Sequence, residues 1–105
     1  MIEKTYDFSV LDDKKVEKLI DDDVAMINHM VFPKGSGLPE HFSNSNVYML
    51  VVRGTLSLTL DTQEMQKYPK GKIVNIPNGI KMNVSNQDEE VLEMFVIKAP
   101  SPRMY

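Results

Sequence analysis

An all-β fold, a single antiparallel barrel, is what the 105-residue sequence predicts. Three observations predict it. From Val24 onward, short runs rich in Val, Ile, Leu and Thr are separated by Gly, Pro, Asn and Asp, at a spacing of roughly ten residues that suits sandwiches and barrels. One run, Thr55-Leu-Ser-Leu-Thr-Leu, alternates strictly, which is the period-two signature of a strand with one covered face. The tail Ala99-Pro-Ser-Pro-Arg cannot enter a central ladder because each proline lacks an N–H, so the last strand is expected to end near Lys98.

Taken in order, the elements begin with the one helix candidate. Between Phe8 and Asp23, Val10, Leu11, Val16, Leu19 and Ile20 fall loosely at intervals of three and four, which predicts a helical turn from about Asp12 to Leu19 followed by the polar turn Asp21-Asp22-Asp23. The strands expected after it are Val24 to Phe32, Val47 to Arg53, Thr55 to Leu60, Ile73 to Ile76, Ile80 to Val84 and Val91 to Ile97. Leu56, Leu58 and Leu60 share one face of their strand, leaving the other wet. Val47-Tyr-Met-Leu-Val-Val is apolar in both phases, so this strand is expected to be covered on both faces, by a second sheet or a second subunit.

Composition bounds the function. A chain this short makes one domain, with a barrel core over about residues 24–98 and a segment, residues 1–23, available as a strand and turn at a dimer contact. With 42% apolar and 26% charged residues it belongs among ordinary globular proteins. A net charge of -3 supplies no basic field for a phosphate backbone, which argues against nucleic acid. The sequence has no cysteine, so disulfides, thiolate metal sites and cysteine nucleophiles are excluded. Its longest apolar run, Val47 to Val52, is far short of the roughly 18 residues that span a bilayer. No secretory leader pattern opens the chain, and a cytoplasmic location is expected.

Two stretches carry spaced motifs. The first runs Gly35, His41, Ser43, Val47, Gly54, and the second Gly71, Pro77, Gly79, Met82, Asn86. Every interval matches the paired motifs of the cupin superfamily, G-x5-H-x-H-x3-E-x6-G followed by G-x5-P-x-G-x2-H-x3-N. The chain therefore resembles a small single-domain cupin of the RmlC-like, jelly-roll type over about residues 24–97. The glycines and Pro77 also stand on their own physics, as turn positions that need a positive φ or a fixed one.

That resemblance implies a cavity whose metal ligands occupy the positions of His41, Ser43, Val47 and Met82, of which only His41 keeps its ligand side chain. Serine hydroxyl and valine are poor or impossible ligands for iron, manganese, nickel or zinc, and a thioether favours copper(I). The site is expected to lack the usual metal, with His29 on the preceding strand as the one candidate to join His41, and Glu40 or Met82, in a rearranged one. With His41 and Met82 inward, Val47, Met49, Val51, Ile80 and Val84 line the cavity and Tyr48 and Asn83 take the opposite phase. Apolar walls with a polar mouth at His41 and Ser43 suit a small hydrophobic ligand. The carboxylates Asp88, Glu89 and Glu90 read as a solvated loop, and the eight methionines, Met94 among them, as core filler.

The reading that follows is a small-molecule-binding protein without a cofactor. Its alternative is a cupin enzyme of the isomerase, lyase or dioxygenase type, with His41 as general base tuned by Glu40 or Tyr48. A homodimer is expected, with Met1 to Phe8 adding a strand to the partner.

Overall fold

The β-rich runs zip into two antiparallel sheets in the computed structural model, which describes residues 1–105. The larger has the order β1-β2-β9-β4-β7, from β1 (Lys15–Asp21), β2 (Met26–Phe32), β9 (Leu92–Lys98), β4 (Val47–Arg53) and β7 (Ile73–Ile76). The smaller has the order β3-β8-β5-β6, from β3 (His41–Phe42), β8 (Lys81–Ser85), β5 (Thr55–Leu60) and β6 (Gln66–Pro69). The all-β antiparallel class is as the sequence predicts, and β9 ends at Lys98. No strand is shared between the sheets, so the barrel stays open at its seams.

The helical turn expected over Asp12 to Leu19 is instead β1. The helical element that does form is a single 3-10 turn, Pro102–Met104. In β1 the register slips between Lys18 and Ile20, so that Glu17 faces His29 and Ile20 faces Ile27. That bulge puts Glu17 and Ile20 on the same face three residues apart, which imitates helical spacing inside a strand. Residues 15–21 thus form an edge strand of the chain's own larger sheet.

The period of two then builds the core. Val47, Met49 and Val51 of β4 and Leu92, Met94 and Val96 of β9 all turn inward and are buried, meeting Leu56, Leu58, Met82 and Val84 from the facing sheet. Each such side chain contributes about 1.5–3 kcal/mol by leaving water. Unbranched Met49, Met82 and Met94 fill the irregular gaps between the sheets.

Within the chain the doubly apolar β4 is covered on one side, with Tyr48 and Val52 37% and 43% exposed on the other. One expectation about faces fails. On β5, Ser57 is buried although it lies on the face expected to be wet, because β5 sits between β8 and β6 rather than at an edge.

The glycine frame is the part of the motif the backbone needs. Gly35, Gly54, Gly71 and Gly79 all have φ between +75° and +91°. Gly54 carries a second constraint, since a Cβ there would run into the Val91 carbonyl oxygen, whereas one at Gly35 meets open space. Gly54→Ala is therefore expected to cost at least about 2 kcal/mol in urea unfolding, and Gly35→Ala about 1 kcal/mol.

Candidate functional site

Short β3 brings the first motif against the second: His41 pairs with Met82 and Phe42 with Lys81. Val47 and Met49 of β4 form the floor, and Met30 of β2 with Val96 and Lys98 of β9 forms the far wall. Together they enclose a cavity of about 60 Å³, well under the roughly 300–1,000 Å³ of sites for drug-sized molecules. At roughly 10–15 Å³ for each water, it has room for a ligand of only a few heavy atoms. Six of its ten lining residues are apolar, so polar recognition is confined to His41, Ser43, Asn44 and Lys98.

Those four differ in what they have left to offer. The Ser43 hydroxyl is already used twice, donating to the Pro77 carbonyl at 2.7 Å and accepting from the Ile80 N–H at 2.8 Å. It closes the turn around Pro77 rather than serving the cavity. His41 Nδ1 donates to the Pro39 carbonyl at 2.8 Å. Because a carbonyl only accepts, this bond fixes the tautomer and leaves Nε2 with its lone pair in the neutral ring. Lys98 donates to Asn44 Oδ1 at 3.0 Å, and burial pulls its amine below the ordinary lysine value of 10.5, with Lys18 adding to the effect.

The four positions that would carry metal ligands do not fit a divalent transition ion. One imidazole stands beside a hydroxyl with both roles committed, an alkyl side chain and a buried thioether, and this donor set suits neither iron, manganese, nickel nor zinc.

His41, Ser43, Val47, Met49 and Met82 thus meet where the sequence places them. Val51 and Val84 are buried but do not line this cavity; Val51 borders an open groove with Val52, Gly71 and Ile73, and Ile80 a separate one with Leu60 and Pro77. Glu40 accepts from Asn83 Nδ2 at 3.0 Å, and Tyr48 lies on the outer face of β4, so neither tunes His41. The acidic loop is solvated, with Asp88 paired to Lys67 and Glu89 to Lys34. Sequence reading missed Met30, Leu38, Asn44, Val96 and Lys98. For β9 the signal was ambiguous, since Leu92-Glu-Met-Phe-Val-Ile-Lys is apolar in both phases.

His29 takes an outward, hydrogen-bonded place and does not join the cavity. Alternation along β2 sends Met30 and Phe32 into the core and His29 to the opposite face of the sheet, where it cannot reach His41. There it is fully buried, with Nδ1 2.8 Å from Glu17 Oε1 and Nε2 2.7 Å from Glu93 Oε2. Each ring nitrogen thus has a carboxylate oxygen within hydrogen-bond distance. Phe8 packs its ring 5.0 Å from His29 and 5.0 Å from Phe95. The Ser9 N–H bonds to Glu17, and Arg53 bridges Asp12 and Glu93. Phe8 to Asp12 therefore strap the outer face of their own sheet.

Protein-family models give no match to the chain. An uncharacterised protein of Methanocaldococcus jannaschii is 43% identical over 104 residues, covering 98% of this chain and 90% of the relative. A crystal structure from the same organism, of an RmlC-like cupin family protein with a double-stranded β-helix fold, matches at a TM-score of 0.96 and 43% identity, covering 99% of this chain and 96% of that one. An RmlC-like cupin protein from Desulfovibrio desulfuricans shares the fold at TM-score 0.77 and 20% identity, over 93% and 97% of the two chains. A cupin superfamily protein from Desulfitobacterium hafniense does so at 0.74 and 14%, over 88% and 82%. Two antiparallel sheets around a small apolar cavity are thus those of a double-stranded β-helix protein. The chain belongs to the RmlC-like cupin family.

One prediction concerns the outer-face cluster. Glu17 is held below its ordinary value of 4.5, chiefly by its hydrogen bond with His29 and next by the Ser9 N–H. A folded value below the unfolded one contributes stability that is complete above about 4.5 and is lost as pH falls through the folded value. The stability difference between wild type and Glu17→Gln is expected to be widest near neutrality and to close on acidification. Urea melts from about pH 6 to about pH 3 measure it, and a pH-independent difference would contradict the assignment.

Proposed function

We propose that the protein binds a small molecule in the cavity beside His41 without a resident transition metal. The observation that carries this reading is the donor set: with Ser43 engaged by Pro77 and Ile80, and Val47 and Met82 beside it, His41 is the one nitrogen donor among the four motif positions. A cavity that keeps its apolar walls while its ligand set is gone suits binding better than Lewis-acid chemistry. Elemental analysis and calorimetric titration with zinc and nickel test it. Stoichiometric binding abolished by His41→Ala would overturn the metal-free reading. A thermal-shift screen of compounds of a few heavy atoms is expected to find stabilising ligands that wild type does not turn over.

A second reading, an enzyme with His41 as general base, draws on the Nδ1 bond to Pro39, which leaves Nε2 available to take a proton. Turnover abolished by His41→Gln, with ligand stabilisation retained, would favour it over simple binding. Cupins host many activities, so fold alone selects neither.

The same proposal includes a homodimer. Tyr48, Val52 and Ile73 leave an apolar strip on the outer face of β4 and β7, and β7 is an open sheet edge. A second copy related by a two-fold axis would cover the strip and pair the edge at once. Light scattering is expected to give twice the chain mass, with Ile73→Lys shifting it to monomer, and a monomeric wild type would remove this part. A cytoplasmic setting completes the reading, in keeping with a chain that has no cysteine to cross-link.

A further inference from the structure

Strand β9 delivers a cation to the cavity. Leu92, Met94 and Val96 face inward in turn, and Lys98, next in that phase, brings its side chain to the cavity mouth beside His41 and Asn44. Lys98 bonds to the neutral amide of Asn44, and none of the chain's ion pairs includes it. The charge that acts on it is another cation, Lys18, on β1 two strands away. One register step away, Asn28 pairs with Val96 as Met26 pairs with Lys98. Asn28 is 8% exposed, and its Oδ1 is buried without a hydrogen-bond partner. A half-buried ammonium without a counter-ion costs free energy, and an orphaned amide oxygen adds to that cost. Lys98 stands with His41 and Asn44 in a cavity whose other walls are Met30, Leu38, Val47, Met49 and Met82, and Asn28 lies behind that wall on the same face of β2 as Met30.

We propose that Lys98, with Asn44 and His41, binds the carboxylate of a small aliphatic acid whose hydrocarbon part enters the cavity. This deepens the small-molecule reading above and rests on it. The volume of about 60 Å³ limits the acid to a few carbons. A single cation set among apolar walls matches a monoanion with an apolar body better than it matches a phosphate or a dianion, which need several donors. His41 Nε2 on the other side of the mouth can donate to a carboxylate oxygen when the ring is protonated or accept from a ligand hydroxyl when it is neutral. Burial already draws the Lys98 amine below its ordinary value, and an adjacent carboxylate reverses that effect by favouring the charged form.

The test uses the full chain, with the methyl signals of its methionines as reporters, because Met30, Met49 and Met82 line the cavity. Acetate, propionate and butyrate are titrated in parallel with propionamide and butyramide, which keep the shape and lose the charge. The expected result is saturable shifts of those methyls, with butyrate binding about tenfold or more tightly than butyramide. Lys98→Met should bring the two affinities together, and Lys98→Arg should keep most of the difference. If wild type binds butyrate and butyramide equally, or Lys98→Met keeps the preference, the carboxylate assignment fails and the small-molecule reading survives. If no compound of either series moves the methyls while a broader screen finds a stabilising ligand, the same holds. Failure of both experiments would remove the two proposals together.

Discussion

Antiparallel pairing of β9 on both its edges, with β2 on one side and β4 on the other, is the constraint from which the rest of the molecule follows. A strand bonded on both sides cannot rotate or slip without breaking two ladders, and a one-residue slip would exchange its faces. With that register set, Leu92, Met94 and Val96 seal the core and Lys98 is carried to the cavity mouth. On the other face Glu93 and Phe95 meet His29. The two environments are two sides of one alternating strand.

The chain's two histidines are separated by that sheet. His41 sits on a two-residue strand at the rim of the cavity, tied by one bond to a nearby carbonyl. His29 is locked between two carboxylates and two aromatic rings, in a cluster that ties β1, β2, β9 and the preceding strap together. Its nitrogens and its access are both used up, so it supports the fold, while His41 keeps a nitrogen in reserve. A buried ring nitrogen left without its partner is costly, which makes the cluster a device for holding the strap in register.

The motif positions depart from the family pattern in side-chain chemistry and keep its spacing. Where the family pattern has His, Glu and His, this chain has Ser43, Val47 and Met82, and these residues are recruited to structure: one closes the Pro77 turn and two pack the interior. What remains polar is at the mouth, where Asn44 and Lys98 join His41.

By itself, the sequence determined the strand runs over Val47 to Arg53, Thr55 to Leu60 and Ile73 to Ile76, together with the glycine frame, since these depend on local backbone preference and short-range alternation. It also brought His41, Ser43, Val47, Met49 and Met82 to one place through the spacing of the motifs. Only the tertiary structure decided that Val16, Leu19 and Ile20 belong to a bulged strand, because a bulge breaks the period that identifies one. Only the tertiary structure turned His29 outward and Lys98 inward. Strands β2 and β9 are rich in apolar residues in both phases, so the choice of face rests on pairing with β1 and β4, partners distant in the chain.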